Sequence, residues 1–146
     1  MTRIVVGVDG SDGSRAALQW ALAQAAATGG EVDAVLAYDT SLAWIDIGSE
    51  YQTVMVKGAA DKAQREIDAV VDALDTRSLG VTARPVIVEG TPADALIEAA
   101  RGADLLVVGN RGRGGFTGLL LGSVSQRCVE RSACPVVVVP SPRDAR

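Results

Sequence analysis

Histidine is absent from the 146-residue chain, which excludes a Ser-His-Asp triad, a Cys-His pair and any His-ligated zinc site. Cysteine is nearly absent: Cys128 and Cys134 lack the CxxC spacing and fall in different predicted elements, a helix and a strand entrance. They read as reduced thiols of a cytosolic protein. Aromatic residues make up 3% of the chain, so its core must be built from Val, Ile, Leu and Ala. A net charge of −4 argues against general electrostatic affinity for nucleic acid or an anionic membrane. No apolar run approaches the roughly 20 residues needed to cross a bilayer. The apolar stretch in Arg3–Val8 is also too short for a signal peptide. The expectation is a cytoplasmic protein with neither nucleic acid nor membrane as partner.

What is present suits a folded domain: 48% apolar and 22% charged residues. Two kinds of segment alternate. Arg3–Val8 is a β-branched run that stops at Asp9-Gly10-Ser11-Asp12-Gly13-Ser14, a dense turn signal. From Ser14 to about Thr28, Leu18, Ala21, Leu22 and Ala25 share one helical face, and Gly29-Gly30 ends the helix. Glu31–Tyr38 reads as a second strand, followed by a loop with Trp44 and Ile45.

Ser49 and Gln52 have capping-box spacing and open a long helix with a stripe of Val56, Ala60, Ala63, Ile67, Val70 and Leu74, closed by Gly80. Val81–Val88 is the third strand. Thr91-Pro92-Ala93-Asp94 then supplies a cap, a first-turn proline and an early carboxylate. Asp104–Gly109 is a fourth strand, and a glycine-rich loop runs from Gly109 to Gly122. Ser123 and Gln126 repeat the capping-box spacing before a helix to about Arg131, and Pro135–Val139 is the fifth strand. Alternating strands and helices with continuously apolar strands imply a mostly parallel sheet covered on both faces. One domain over residues 1–146 is expected.

In open parallel sheets, ligands sit at the carboxyl ends of strands where the strand order reverses. With the order 3-2-1-4-5, the reversal lies between strands 1 and 4. The loops leaving those two strands, Asp9-Gly10-Ser11 and Gly109-Asn110-Arg111-Gly112-Arg113-Gly114-Gly115, are the richest in glycine. The second ends at Gly122-Ser123, where a helix begins, and a helix N-terminus offers unpaired N–H groups to phosphate. Ser123 can serve as a cap, as a phosphate ligand, or as each in turn. Arg111 and Arg113 either neutralise phosphate charge or are solvated loop charges.

The spacing Gly109-x-x-Gly112, nine residues, then Gly122-Ser123 resembles the nucleotide loop of the ATP-binding branch of the universal stress proteins. Gly7-Val8-Asp9-Gly10-Ser11, Trp20-Ala21, Val107-Val108-Gly109 and Cys134-Pro135-Val136 are similar to further motifs of that family, so the resemblance covers essentially the whole chain. It implies an open five-stranded parallel sheet of order 3-2-1-4-5 with helices on both faces, Rossmann-like, of the adenine nucleotide alpha hydrolase-like kind. It also implies roles residue by residue. Gly7 and Val8 line the adenosine side, and Asp9 lies near the ribose or, through water or Mg²⁺, the phosphates. The backbone of Ala37 reads the adenine edge, Gly109 and Gly112 contact ribose and phosphate, and Gly122, Ser123 and Val124 hold the phosphates. Some relatives carry a basic residue further along the loop, where this chain has Gly118-Leu119-Leu120-Leu121. Homodimers through Val136–Val139 are implied as well.

Plainer roles stand beside these. Asp9 can close an Asx-turn; Trp20 can pack on the core, and Trp44 can either pack or cover the adenine. Asp61, Glu66, Asp68 and Asp72 read as one solvated helix surface.

The pattern GxxxxGK[ST] is missing, and no GxGxxG follows the first strand. Without histidine, a base for activating water would have to be Asp9 or another carboxylate, and nothing pairs it with a nucleophile. The leading expectation is therefore an ATP-binding regulator or sensor of stress adaptation. A slow Mg²⁺-dependent ATPase or phosphotransferase, an AMP or cyclic-nucleotide binder, and a structural factor working without nucleotide are the alternatives.

Overall fold

The computed structural model describes residues 2–40, 49–74, 79–110 and 121–142. Three strands are unbroken apolar runs: β1 (Arg3–Gly7, after its first residue), β4 (Leu105–Gly109) and β5 (Val136–Val139). β2 (Glu31–Tyr38) and β3 (Ala83–Glu89) carry charged residues near their starts. All pair in parallel, in the order β3-β2-β1-β4-β5, as expected. Pro85 lies in β3, an edge strand, where a missing N–H is tolerated.

Side chains alternate across the strands, and each face has its own helices. Ile4, Val6 and Val8 meet Ala17, Leu18, Ala21, Leu22 and Ala25 of α1 (Asp12–Thr28), with Ala63 and Ile67 of α2 (Ser49–Asp72) in the same cluster. Val5, Val35, Leu106 and Val108 meet Leu96 and Ala100 at α3 (Pro92–Ala99) and Cys128 of α4 (Ser123–Arg131). The core is thus aliphatic on both faces, and Trp20 packs at its margin.

Several boundaries differ from expectation. α1 starts at Asp12, ahead of Ser14, because the Ser11 side chain accepts from Ser14 N (3.2 Å) and caps the helix. Gly29 closes it with a left-handed φ of 69°. α2 ends at Asp72, before Gly80 and before Leu74, the last residue of its expected stripe; within the helix Ala63 and Ile67 are buried and Val56, Ala60 and Val70 half-buried. The side chains of Ser49 and Gln52 lie outside the described residues. β3 begins at Ala83; Val81 is buried on the approach to it.

Candidate functional site

The strand order reverses between β1 and β4, and both lips of the crevice there are built by local hydrogen bonds. On the β1 side, Asp9 Oδ1 accepts from Ser11 N (2.9 Å) and from the Ser11 hydroxyl, which is the Asx-turn considered above. Gly10 makes the corner at φ 82°, a region open to glycine. The buried Ser14 hydroxyl donates to Ser11 O (3.0 Å) and accepts from Asp9 N (3.2 Å). This turn binds its own donors and holds the Asp9 carboxylate at the strand end. Ser14 carries no glycine-loop signature, and its role was not anticipated.

On the β4 side, the chain passes close to α1. A Cβ at Gly109 would lie 3.0 Å from the carbonyl carbon and oxygen of Gly13, so the end of β4 and the first turn of α1 touch backbone to backbone. The carbonyl of Asn110 accepts from Gly122 N (2.6 Å) and from Ser125 Oγ (3.0 Å). Gly122 is the N-cap of α4 (φ −76°, ψ 173°), and Ser123 is the first helical residue rather than the cap expected from its spacing to Gln126. The capping box does not form: Gln126 Nε2 donates instead to Glu130 (3.3 Å). The physical reason is the bond to Asn110, which fixes Gly122 as the residue where the chain turns into the helix. Ser123 is exposed at the mouth, and Val124 packs toward the α3–α4 side. Arg111, Gly112 and Arg113 lie outside the described residues, as do Trp44, Ile45 and Gly118 to Leu120.

The remaining expected site residues sit at the same end of the sheet, with their side chains otherwise engaged. The place a Gly7 side chain would take is filled by Leu96, whose Cδ1 lies 2.7 Å from the would-be Cβ. Val8 is buried in the core below α1, and its N–H extends the ladder to Val35 O (2.8 Å). Both can therefore meet a ligand with backbone atoms alone. Ala37 is half-buried near the end of β2, in register with Val88. Beyond it, the buried Thr40 hydroxyl donates to Glu89 (2.6 Å) and ties the ends of β2 and β3.

Two displaced pKa values belong to groups outside this crevice. Burial pushes the Cys128 thiol up to about 11, as suits a core thiol of α4. A hydrogen bond to Asp33, and then its charge, raise Arg84 on β3. Among the described residues, no group of three or more His, Cys, Asp or Glu side chains is placed to hold a metal ion. Among the same residues, no helix is long and apolar enough to cross a membrane.

The sequence profile of the Universal stress protein family matches residues 1–140. A universal stress protein of Thermus aquaticus is 32% identical over 142 residues, covering 93% of this chain and 96% of that protein. One of Mycobacterium tuberculosis is 34% identical over 147 residues, covering 97% of this chain and 44% of its own length. The chain thus spans less than half of the mycobacterial relatives it matches. A solved universal stress protein in complex with cAMP superposes with a TM-score of 0.72 at 32% identity, over 96% of this chain and 97% of that one. An AMP-bound family protein of Arabidopsis thaliana, at 22% identity and a TM-score of 0.68 over 99% and 94% of the two chains, shares the fold. A profile matched from the first strand through the last, on a sheet of this order, leaves one conclusion: the chain belongs to the universal stress protein family.

Proposed function

We propose that this chain is a single family domain, residues 1–146, that binds an adenine nucleotide between the carboxyl ends of β1 and β4, with ATP as the leading ligand. The observation carrying this reading is the close contact at the reversal of strand order, where Gly109 at the end of β4 lies against Gly13 in the first turn of α1, next to the Asn110 that bonds the N-cap of α4. The first N–H groups of a helix have no intrahelical acceptor, so those of Ser123 and Val124 suit phosphate oxygens. Gly122 has given its N–H to Asn110, and so serves the phosphates by lacking a side chain. Asp9 takes the ribose or, through water, a Mg²⁺ ion whose other ligands come from phosphate and water. The backbone of Gly7, Val8 and Ala37 lines the adenosine, while Gly112 with Arg111 and Arg113 completes the phosphate loop.

The role is that of a stress-linked regulator in the cytoplasm, working as a homodimer through β5. Efficient turnover is not part of this reading: Asp9 Oδ1, at the end of β1, is taken up by the N–H and hydroxyl of Ser11 in its own turn. A cyclic nucleotide or AMP is the second reading, favoured by the cAMP complex of a relative at 32% identity.

The test is a thermal-shift and calorimetric titration with ATP and Mg²⁺, and with AMP, cyclic AMP and GTP in parallel. Ligand at 100 times its Kd should add about 2.7 kcal/mol of stability. Gly122→Asp sets a carboxylate at the mouth of α4. Aspartate is a good N-cap, so the unliganded variant should melt at or above the wild-type temperature while its response to ATP disappears. A full ATP response in Gly122→Asp would remove α4 from the site. No response of nucleotide-free wild type to any of the four would leave the glycine loop structural.

A further inference from the structure

Asn110 follows β4 directly and ties three segments together. Its N–H donates to Val139 O (3.0 Å) at the end of β5, and its Oδ1 accepts from Ser141 N (3.1 Å) just beyond. Its carbonyl receives Gly122 N (2.6 Å) and Ser125 Oγ (3.0 Å) from the first turn of α4. The Ser125 hydroxyl is buried and also lies 3.1 Å from Gly122 O. The two ends of the glycine loop are thereby joined, and the join rests on the edge strand.

The chemistry of the cap makes this join necessary. A glycine N-cap has no side chain with which to fix its own helix start, and Gly122 makes no side-chain cap bond. Without another anchor, the first turn would fray and its N–H groups would lose a common direction. Ser125, at the third helical position, supplies the missing polar atom. Its hydroxyl bonds backward to the carbonyls of Asn110 and Gly122, behind the helix start. The N–H groups of Ser123 and Val124, two residues and one residue earlier, stay at the N-terminal end of the helix.

We propose that Ser125 and Asn110 are positioning residues: together they form a clasp that aims the Ser123 and Val124 N–H groups at the phosphates of a bound nucleotide. This inference rests on the nucleotide reading above. Neither side chain touches the ligand. The clasp acts on the phosphate end of the site alone, because the adenosine end is built by β1 and β2. Pre-aimed donors bind an anion without first being ordered, so releasing the clasp weakens phosphate binding selectively.

Comparison of ATP with adenosine tests the clasp. Ser125→Ala deletes one oxygen and both of its bonds. It should weaken ATP binding about 5- to 30-fold, the loss of one charge-assisted arrangement. Adenosine affinity should stay within about twofold, a change too small to reflect a lost contact. Asn110→Ala keeps the carbonyl and cuts the side-chain link to Ser141. It should show the same selective loss at smaller size, and it carries the test should Ser125→Ala fail to fold. Faster hydrogen exchange of the Gly122 amide in unliganded Ser125→Ala would accompany the result.

Wild-type ATP affinity in both variants, or equal losses for ATP and adenosine, would overturn the clasp and leave the nucleotide site standing. A wild-type protein that binds neither compound would overturn the nucleotide reading, and the clasp with it.

Discussion

Asp33 is 4% exposed in a strand covered on both faces, a place that carboxylates seldom occupy. Three guanidinium hydrogen bonds account for it: Arg3 Nε at 3.1 Å, Arg84 Nε at 3.0 Å and Arg84 Nη2 at 3.0 Å. Arg3 also donates to Ala99 O (3.2 Å), so the cluster joins β1, β2, β3 and the end of α3. It lies at the amino ends of the strands, away from the crevice, and its work is to hold the sheet. Asp33→Ala leaves Arg84, 67% exposed, in contact with water, and Arg3 with its carbonyl partner. The cost should therefore be about 1–3 kcal/mol, the range for an unmade buried bond. It falls short of the about 3–5 kcal/mol for splitting a fully buried pair. Asp33→Asn keeps one acceptor and should lose less. Urea unfolding reads both, and an unchanged midpoint in Asp33→Ala would mean the cluster adds nothing to stability.

At the scale of elements, two glycines in the crevice are required by neighbours before any ligand arrives. The Cβ of Gly7→Ala would meet the tip of the Leu96 side chain, which can turn aside, at a cost of about 1 kcal/mol. The Cβ of Gly109→Ala would meet the Gly13 backbone at 3.0 Å, which cannot, so β4 and α1 must part at a cost of about 2–3 kcal/mol. Thermal unfolding should rank Gly109→Ala below Gly7→Ala, and the reverse order would mean the α1 start yields easily.

These contacts also mark how far the sequence could be read. Alternating apolar runs and turn clusters gave away the elements, and the motif resemblance gave away their order. Glycine spacing pointed to the carboxyl ends of β1 and β4. It could not tell whether a missing side chain makes room for phosphate, for Leu96 or for Gly13. Helix starts were misread for a related reason. Ser11 and Ser14 are equally good caps on paper, and Gly122 became a cap through a carbonyl delivered by β4. Asp33 gave no signal, since its partners come from two other strands. Such tertiary partners have no local signature.

The whole molecule has two open sheet edges, and they differ in chemistry. β3 carries Arg84, Pro85 and Glu89, residues that discourage pairing with a further strand. β5 is four valines between Pro135 and Pro140, each half-buried, with Val129 of α4 49% exposed among the apolar side chains at the surface. The carbonyls of Pro135 and Val139 face inward, bonded to Leu106 N (3.0 Å) and Asn110 N (3.0 Å). Strand alternation then turns the backbone groups of Val136 and Val138 toward the open edge. A twofold pairing of β5 with a second copy would satisfy both sets and leave only the guarded β3 edges exposed. Val138→Pro tests this, because it removes an outward N–H while the inward bonds to β4 stay in place. Light scattering at micromolar concentration should give twice the chain mass for wild type and the single-chain mass for the variant, with circular dichroism unchanged. A wild-type monomer would assign the β5 edge to some other partner, and a dimer that survives Val138→Pro would move the interface elsewhere on the surface. Since Asn110 bonds to both Val139 and Ser141, a dimer formed on β5 would also stiffen the strand from which the glycine loop is clasped.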